Sequence, residues 1–471
     1  MRDFQLAWRN IWRNKRRTLI TAASIFFAVF FALVMRSFQL GTYDSLYKNI
    51  IESYTGYIQI QHSDYYEEPI LDNSFEADPE IIKKIGSDPN VLDIVPRLES
   101  YALAASGSRT QGVMVMGVDP EKEENLSGMK ERLVKFKLTE DAIKTLKTSD
   151  LPDRTVKLLD LFMNEAWSST GRMMLDLGIS DEDSAAVMPV IRKNASFANE
   201  YFSGSADGEA LIGSGLSDFL KINVGDTLVL MGQGYHGTSA AGNFTVAGII
   251  KLPTPDIDKR IVYIPLETAR ELYAAPGLAT SAVLSLKDFD DKSIGRTAER
   301  LKNIVPDPLA AKTWRELNAL LLNQMEADNR SGMIMIGILY LVIAFGVFGT
   351  VLMMMAERRR EFGMLVSVGM QKSKLAKVVT IEMLLMGLLG VVSGIIASLP
   401  LVFYGHFRPL RFTGEFARMY EDYGMEPIMP TMLPDAYYMW QSVVVMIIIS
   451  IAIIFSVRKI FRINVITSLK A

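Results

Sequence analysis

The sequence predicts a membrane α-helical protein with four transmembrane helices and a large extracytoplasmic α+β domain. Three observations point there. Stretches at about 18–38, 331–356, 378–404 and 436–457 are apolar over the roughly 20 residues that a helix needs to cross a bilayer core of about 30 Å. Between the first and second lies a more polar segment, 42–330, in which several short runs alternate apolar and polar residues like strands. Lys and Arg gather in alternate connections, and that bias sets orientation across a membrane. The 471 residues are 49 % hydrophobic yet 22 % charged, the mixture expected when membrane helices and a water-exposed domain share one chain.

Residues 1–41 read as an amphipathic helix followed by the first span. The run Thr18–Met35 carries no Asp, Glu, Lys or Arg. A basic lead before an apolar stretch is also the pattern of a secretory signal, but no clean small-residue site follows and the span is expected to stay uncleaved. Ahead of it, residues 1–17 hold six Lys/Arg against one acid, Asp3. The connection between spans two and three holds six more (Arg358, Arg359, Arg360, Lys372, Lys374, Lys377), and the tail adds Arg458, Lys459, Arg462 and Lys470 without an acid. By contrast, the loop 405–435 has three arginines against five acids. Both termini and the 357–377 connection are therefore expected to be cytoplasmic, with 42–330 and 405–435 outside, in a multi-pass protein of the inner (plasma) membrane.

The outer segment reads as mixed α+β. YTGYIQIQHSDYY (54–66), GVMVMGVD (112–119) and DTLVLM (226–231) alternate like strands. EALIGSGLSDFLKINVGD (209–226) reads as strand, short helix and a Gly225-Asp226 turn, and NFTVAGIIKL and KRIVYIPL add two more strands. Residues 120–200, rich in Lys, Glu, Leu, Asp and Met, read instead as several helices inserted in a β-rich core.

Several chemistries find no support. The chain has no cysteine, so thiolate catalysis and cysteine metal sites are excluded. His62, His236 and His406 are far apart and belong to no metal-spaced cluster, so no metal is expected. GQGYHG (232–237) matches G-x-G-x-x-G, but loop and strand follow it where a dinucleotide site requires a helix, so it reads as a hairpin connection. No G-x-x-x-x-G-K-[ST] occurs, and with no supported nucleophile–base pair the chain is expected to be neither an ATPase nor any other enzyme.

Within the membrane regions, three features stand out. Glu382 falls a turn inside span three, where a charge needs a partner, a polar cavity or a route to the interface. Gly390 and Gly394 form a G-x-x-x-G that permits close helix approach, within one chain or between two. Between spans two and three, AERRREFGMLVSVGMQKSKLAK packs eight charges and two glycines. Its centre reads as a short amphipathic helix, with Phe362, Leu365, Val366 and Val368 toward one apolar side, charge at Glu357–Glu361, Gly363 free of a side chain, and Gly369 placed to end the helix. Those residues fit a docking joint or a helix lying on the membrane surface.

The sequence resembles the permease subunits of ABC transporters in the MacB, FtsX and lipoprotein-releasing (LolC/LolE-like) superfamily, over essentially its whole length. LAWRNIWRNKRRTLIT (6–21) is similar to the family's leading amphipathic helix and first span. YTGYIQIQHSDYY and GEALIGSGLSDFLKINVGDTLVLM resemble the lipoprotein-release branch and its outer core, and AERRREFGMLVSVGM followed by Glu382 resembles the coupling segment. The resemblance implies a MacB-like periplasmic core for 42–330 and a coupling helix at 357–370. It implies that Glu357, Arg358, Arg359, Arg360, Glu361, Phe362, Gly363, Leu365 and Gly369 engage a separate ATPase subunit, which alone binds ATP and Mg. This chain then needs no cofactor of its own, and a second copy or a related permease completes a dimer.

The implied activity is release of lipoproteins from the inner membrane. Cargo lipid is then expected at the outer ends of spans one and two, against Phe30, Phe31, Val34, Met35 and Phe38, with Met333 and Ile336 opposite. The alternatives are MacB-like efflux of small molecules or peptides and FtsX-like regulation of an envelope enzyme. Expected partners are the ATPase, a second permease, membrane lipid, lipoprotein cargo and a periplasmic carrier or adaptor, with no nucleic acid.

Overall fold

The computed structural model describes residues 2–13, 15–203, 208–422 and 425–462; Lys470 lies outside them. Among the described residues, four helices are long and apolar enough to cross a membrane: Thr18–Ile50, Ala319–Glu357, Lys372–Phe407 and Ala436–Phe461. The chain divides into two compact units, one of residues 1–45, 323–410 and 429–471, the other of 46–322 and 411–428. It therefore passes from one unit to the other at four points, 45/46, 322/323, 410/411 and 428/429.

In the helical unit, spans one to four bury Ile25, Val29, Leu33, Val347, Val351, Met383, Met386, Val445 and Ile449 in a common core. The G-x-x-x-G of span three turns inward. A Cβ on Gly390 would stand 2.7 Å from the Ile25 side chain, and one on Gly394 would stand 2.9 Å from Val29. The pair thus lets spans one and three approach closely within a single chain. The first two spans are longer as helices than their apolar stretches. Lys15–Ile50 has 36 residues and Ala319–Glu357 has 39, about 54 and 58 Å of helix at about 1.5 Å per residue.

The other unit is built on nine strands: β1 (Ile58–His62), β2 (Val91–Ser106), β3 (Arg109–Val118), β4 (Glu209–Gly213), β5 (Thr227–Gln233), β6 (Ser239–Ile250), β7 (Ile261–Pro265), β8 (Ser281–Leu286) and β9 (Leu309–Thr313). They run in the order β9-β1-β8-β2-β3-β7-β4-β6-β5, and β5 returns to pair with Ala102–Ala105 of β2. Six strands therefore close into a barrel filled by Leu98, Val113, Val115, Ile212, Leu230, Phe244, Val262 and Ile264. The first half of the 16-residue β2 leaves the barrel and pairs with β8. That second lobe packs Ile58, Ile60, Ile94 and Leu284 against helices Pro79–Gly86 and Asp291–Lys302.

Where strands were expected at 54–66, a five-residue strand stands at Ile58–His62, preceded by a π-helical turn over Ile51–Thr55. The fully buried Arg97 of β2 holds that turn. It donates to the Tyr54 carbonyl while its Nη2 lies 2.7 Å from Glu123. The hairpin reading of GQGYHG agrees with the structure, since a short turn over Tyr235–Gly237 joins β5 to β6.

Residues 120–200 form helices Pro120–Ser127, Glu140–Lys147, Asp153–Leu159, Thr170–Asp176 and Asp181–Ala195. Most of this insert has its own core, with Leu138, Ile143, Leu146, Phe162, Trp167, Met173 and Ile191 buried together. The segment 411–428 belongs to the same unit as the insert. Arg411 lies between two of the insert's carboxylates, 2.9 Å from Glu165 and hydrogen-bonded to the buried Asp176, with its guanidinium 5.0 Å over the Phe162 ring.

Candidate functional site

The connection between spans two and three is short and only partly exposed. Span two ends at Glu357. Arg358 leaves helical geometry (φ −93°, ψ 7°), and a nine-residue helix then runs from Arg359 to Ser367. Its last turn closes through the Gly369 amide to the Val366 carbonyl, and Gly369 takes φ +101°. Such a backbone favours glycine, which ends the helix and turns the chain into span three at Lys372.

The linker helix is anchored from beneath. Arg358 Nη1 lies 2.9 and 2.7 Å from the two Glu382 oxygens, in a pair with side chains only 7 % and 5 % exposed. Arg358 Nε also donates to Glu361 at 3.2 Å, and Arg13 of the N-terminal helix Arg2–Arg13 reaches Glu361 at the same distance. The guanidinium stands 5.1 Å over the ring of Phe362, which is fully buried. Burying that ring is worth about 1.5–3 kcal/mol, and removing one member of such a buried pair costs about 3–5 kcal/mol.

The residues expected to engage a partner thus separate into two groups. Arg358, Phe362 and Gly363 are buried, with Val366 packed on the same core. Glu357, Arg359, Arg360, Leu365 and Gly369 are exposed, and Glu361 is intermediate. The apolar residues therefore do not share one side as the sequence pattern implied. Phe362 and Val366, one turn apart, face the core, whereas Met364, Leu365 and Val368 are 53, 38 and 83 % exposed. Beside them opens a groove of about 330 Å³ whose walls include Leu6, Asn10 and Arg13 from the N-terminal helix and Met364, Leu365 and Met370 from the linker. That adjacency, 348 residues apart in sequence, carried no sequence signal.

The residues expected to line a substrate cavity do not converge. Met333 and Ile336 line an open groove of about 820 Å³ with Tyr340, Tyr437, Trp440, Val443 and Val444 of spans two and four. Phe30, Phe31, Val34, Met35 and Phe38 of span one are not among its walls, but Arg36 is. Phe31 and Met35 are exposed, while Phe30, Val34 and Phe38 are half-buried. Among the described residues no group of three His, Cys, Asp or Glu is disposed to hold a metal ion.

Residues 333–465 match the family of the FtsX-like permease C-terminal domain. The chain is similar to the lipoprotein-releasing system transmembrane protein LolC of Xylella fastidiosa, 23 % identical over 198 residues, covering 41 % of this chain and 47 % of that protein. LolC of Neisseria meningitidis serogroup B is 21 % identical over 195 residues, 40 % of this chain and 47 % of that one. The chain thus matches about half the length of these curated relatives. Among solved structures, the periplasmic region of MacB from Actinobacillus actinomycetemcomitans aligns with TM-score 0.31 and 10 % identity, covering 59 % of this chain and 97 % of that one. The extracellular domain of the noncanonic ABC-type transporter YknZ from Gram-positive bacteria aligns with TM-score 0.27 and 12 % identity, covering 54 and 99 %.

Proposed function

We propose, for a chain of the MacB/FtsX/LolC superfamily of ABC transporter permeases, that it couples ATP hydrolysis by a separate ATPase subunit to motion of its α+β unit. The linker helix is the joint. The observation that carries this reading is the buried Arg358–Glu382 pair beneath an exposed Met364, Leu365 and Val368. A helix merely resting at an interface needs no buried ion pair, whereas a helix that must pass force to a span needs a stiff footing. Arg359 and Arg360 flank the apolar face and supply charge for an ATPase groove. ATP and Mg belong to that subunit, and this chain contributes no catalytic group.

The orientation that follows from the Lys and Arg distribution puts the linker helix and both termini in the cytoplasm and the α+β unit outside. The cargo best matched to that arrangement is a lipoprotein in the outer leaflet, which LolC, by its name, serves in a releasing system. One acyl chain holds a protein with K of about 10⁴ M⁻¹, roughly 5–6 kcal/mol, so three chains require about 15 kcal/mol or more for extraction. Energy from a partner ATPase is suited to that task. The exposed Phe31, Met35 and Met333 are the residues of this chain offered to cargo lipid. A unit with a barrel, a second lobe and a separate helical core favours handling of cargo over regulation alone.

Purification of the full chain in nanodiscs, with mass spectrometry of everything retained, tests the reading. Recovery of an ATPase together with triacylated lipoprotein supports it. An ATPase recovered with an efflux adaptor or a cell-wall hydrolase, and no lipoprotein, replaces the cargo assignment. Absence of any ATPase overturns the coupling assignment.

A further inference from the structure

The groove between spans two and four ends in a cation, Arg36, that among the described residues makes no direct ion pair. Arg36 is the first charge after the apolar run of span one. Its Nη1 donates to the side-chain oxygens of Gln39 at 2.7 Å and Asn329 at 2.6 Å, both neutral amides. The Asp328 carboxylate is reached only indirectly, through Gln39 donating to the Tyr43 hydroxyl and that hydroxyl to Asp328. Among the described residues no carboxylate lies within ion-pair distance of it. A charge at the edge of an apolar bilayer core is costly unless it is paired or reaches a polar phase, so this arginine is suited to a negative group supplied from outside the chain.

The walls below Arg36 are apolar and graded in depth. Tyr437 and Trp440 stand in the first two turns of span four, beside Met333 of span two, and Trp440 is 68 % exposed. Aromatic residues of this kind mark the headgroup level of a bilayer. Farther along both helices come Ile336, Gly337, Tyr340, Val443 and Val444. From 333 to 340 the groove follows span two for about 10 Å at about 1.5 Å per residue. Tyr340 is hydrogen-bonded to Gln441 within the groove, so its hydroxyl is satisfied by span four. A Cβ placed on Gly337 would meet no atom within 4 Å, so that wall is open.

We infer that this groove is a binding site for an anionic membrane phospholipid, with the phosphate-bearing headgroup on Arg36 and one acyl chain along Ile336, Gly337, Tyr340 and Val444. Charge and shape both select this occupant. A zwitterionic lipid carries its own cation beside the phosphate, and an apolar ligand leaves Arg36 unpaired. The site is independent of whether the chain releases lipoproteins, since it needs only the spans.

The test uses the full chain in nanodiscs of phosphatidylcholine and phosphatidylglycerol in equal parts, then extraction into mild detergent and quantification of the lipid retained. Phosphatidylglycerol is expected to be retained over phosphatidylcholine by about tenfold, which corresponds to about 1.4 kcal/mol. Arg36→Gln is expected to abolish that preference, Arg36→Lys to keep most of it, and Gly337→Leu to lower retention of both lipids by filling the groove. Should Arg36→Gln fail to accumulate, Gly337→Leu still decides, because phosphatidylglycerol retention unchanged from the wild type overturns the site. Equal retention of the two lipids by the wild type overturns it as well. So does the absence of any retained lipid, as expected if a second copy of the chain covers the groove.

Discussion

Arg358 and Glu382, 24 residues apart across the turn between spans two and three, form a buried ion pair at 2.7 Å. The pair converts a short surface connection into a part of the bundle. It also separates two functions in one helix, because residues that hold the helix point inward and residues free to meet a partner point outward.

Glu382→Gln leaves the buried Arg358 with only the half-exposed Glu361 as counter-charge and is expected to destabilise the full chain by about 2–4 kcal/mol, toward the lower end of what breaking a buried pair costs. Replacing both residues by Met and Leu of similar bulk recovers most of that loss, since the desolvation of both charges disappears together. Thermal unfolding of the detergent-solubilised chain checks both outcomes. A double variant no more stable than the single one means the pair is not what anchors the helix.

Val368 is 83 % exposed, so Val368→Asp is expected to change stability by no more than about 0.5 kcal/mol. The same substitution is expected to abolish recovery of the ATPase with the chain. Retained ATPase at wild-type yield moves the contact elsewhere.

Arg411 between Glu165 and Asp176 ties the segment 411–428 to the helical insert. Arg411→Ala leaves the almost wholly buried Asp176 with only the Trp167 indole N–H and Arg172, and Glu165 with Lys251 at 3.5 Å. It is expected to cost less than the roughly 3–5 kcal/mol of a fully unpaired buried charge, about 1–3 kcal/mol. Hydrogen exchange of the intact protein should then rise in 411–422 and 160–176 and remain low in the barrel strands. Uniform protection in the variant would mean that the loop is held by other contacts.

Two carboxylates of the α+β unit respond to pH in opposite senses. Burial raises the Glu426 carboxyl above its ordinary range, only partly offset by Arg172, Arg411 and Lys251. Its folded value exceeds its unfolded one of about 4.3. Its contribution to stability therefore rises as pH falls from the folded value toward the unfolded one. Glu426→Gln removes that gain, and melting curves taken from neutral pH down to about pH 4, near the unfolded value, should show a smaller increase in the variant. The Arg300 guanidinium, 2.6 Å away, holds Asp88 below its ordinary range against the opposing effect of burial. Its stabilisation is complete at neutral pH and is lost only as pH drops below about 4.

Much of the fold was legible in the sequence because lipid imposes strong patterns. Four uncharged runs marked the spans, and the alternation in GVMVMGVD and DTLVLM marked barrel strands with one face inward. The long strand Val91–Ser106 was not legible. Pro96 sits within it, and Ile94–Ser100 are mostly buried as it passes from one lobe to the other, so alternation vanishes. Ser281–Leu286 was hidden for the same reason, with nearly every position buried.

The linker helix was readable as an element but not in its facing. A nine-residue helix with apolar residues around much of its circumference leaves the buried stripe undefined until span three lies beneath it. A sequence signal for Arg358 did exist. Glu382 inside a span demands a partner, and the basic run just across the turn offers one. No comparable signal linked Arg36 to spans two and four, because those contacts join segments about 300 to 400 residues apart.

Site-specific photocrosslinking within the assembled ATPase complex tests the central claim most directly. A photoreactive side chain at Val368 or Leu365 is predicted to capture the ATPase subunit, while one at buried Phe362 captures only spans of this chain. A complex that hydrolyses ATP yet gives no ATPase crosslink from Val368 or Leu365 would contradict the assignment of this helix as the coupling joint.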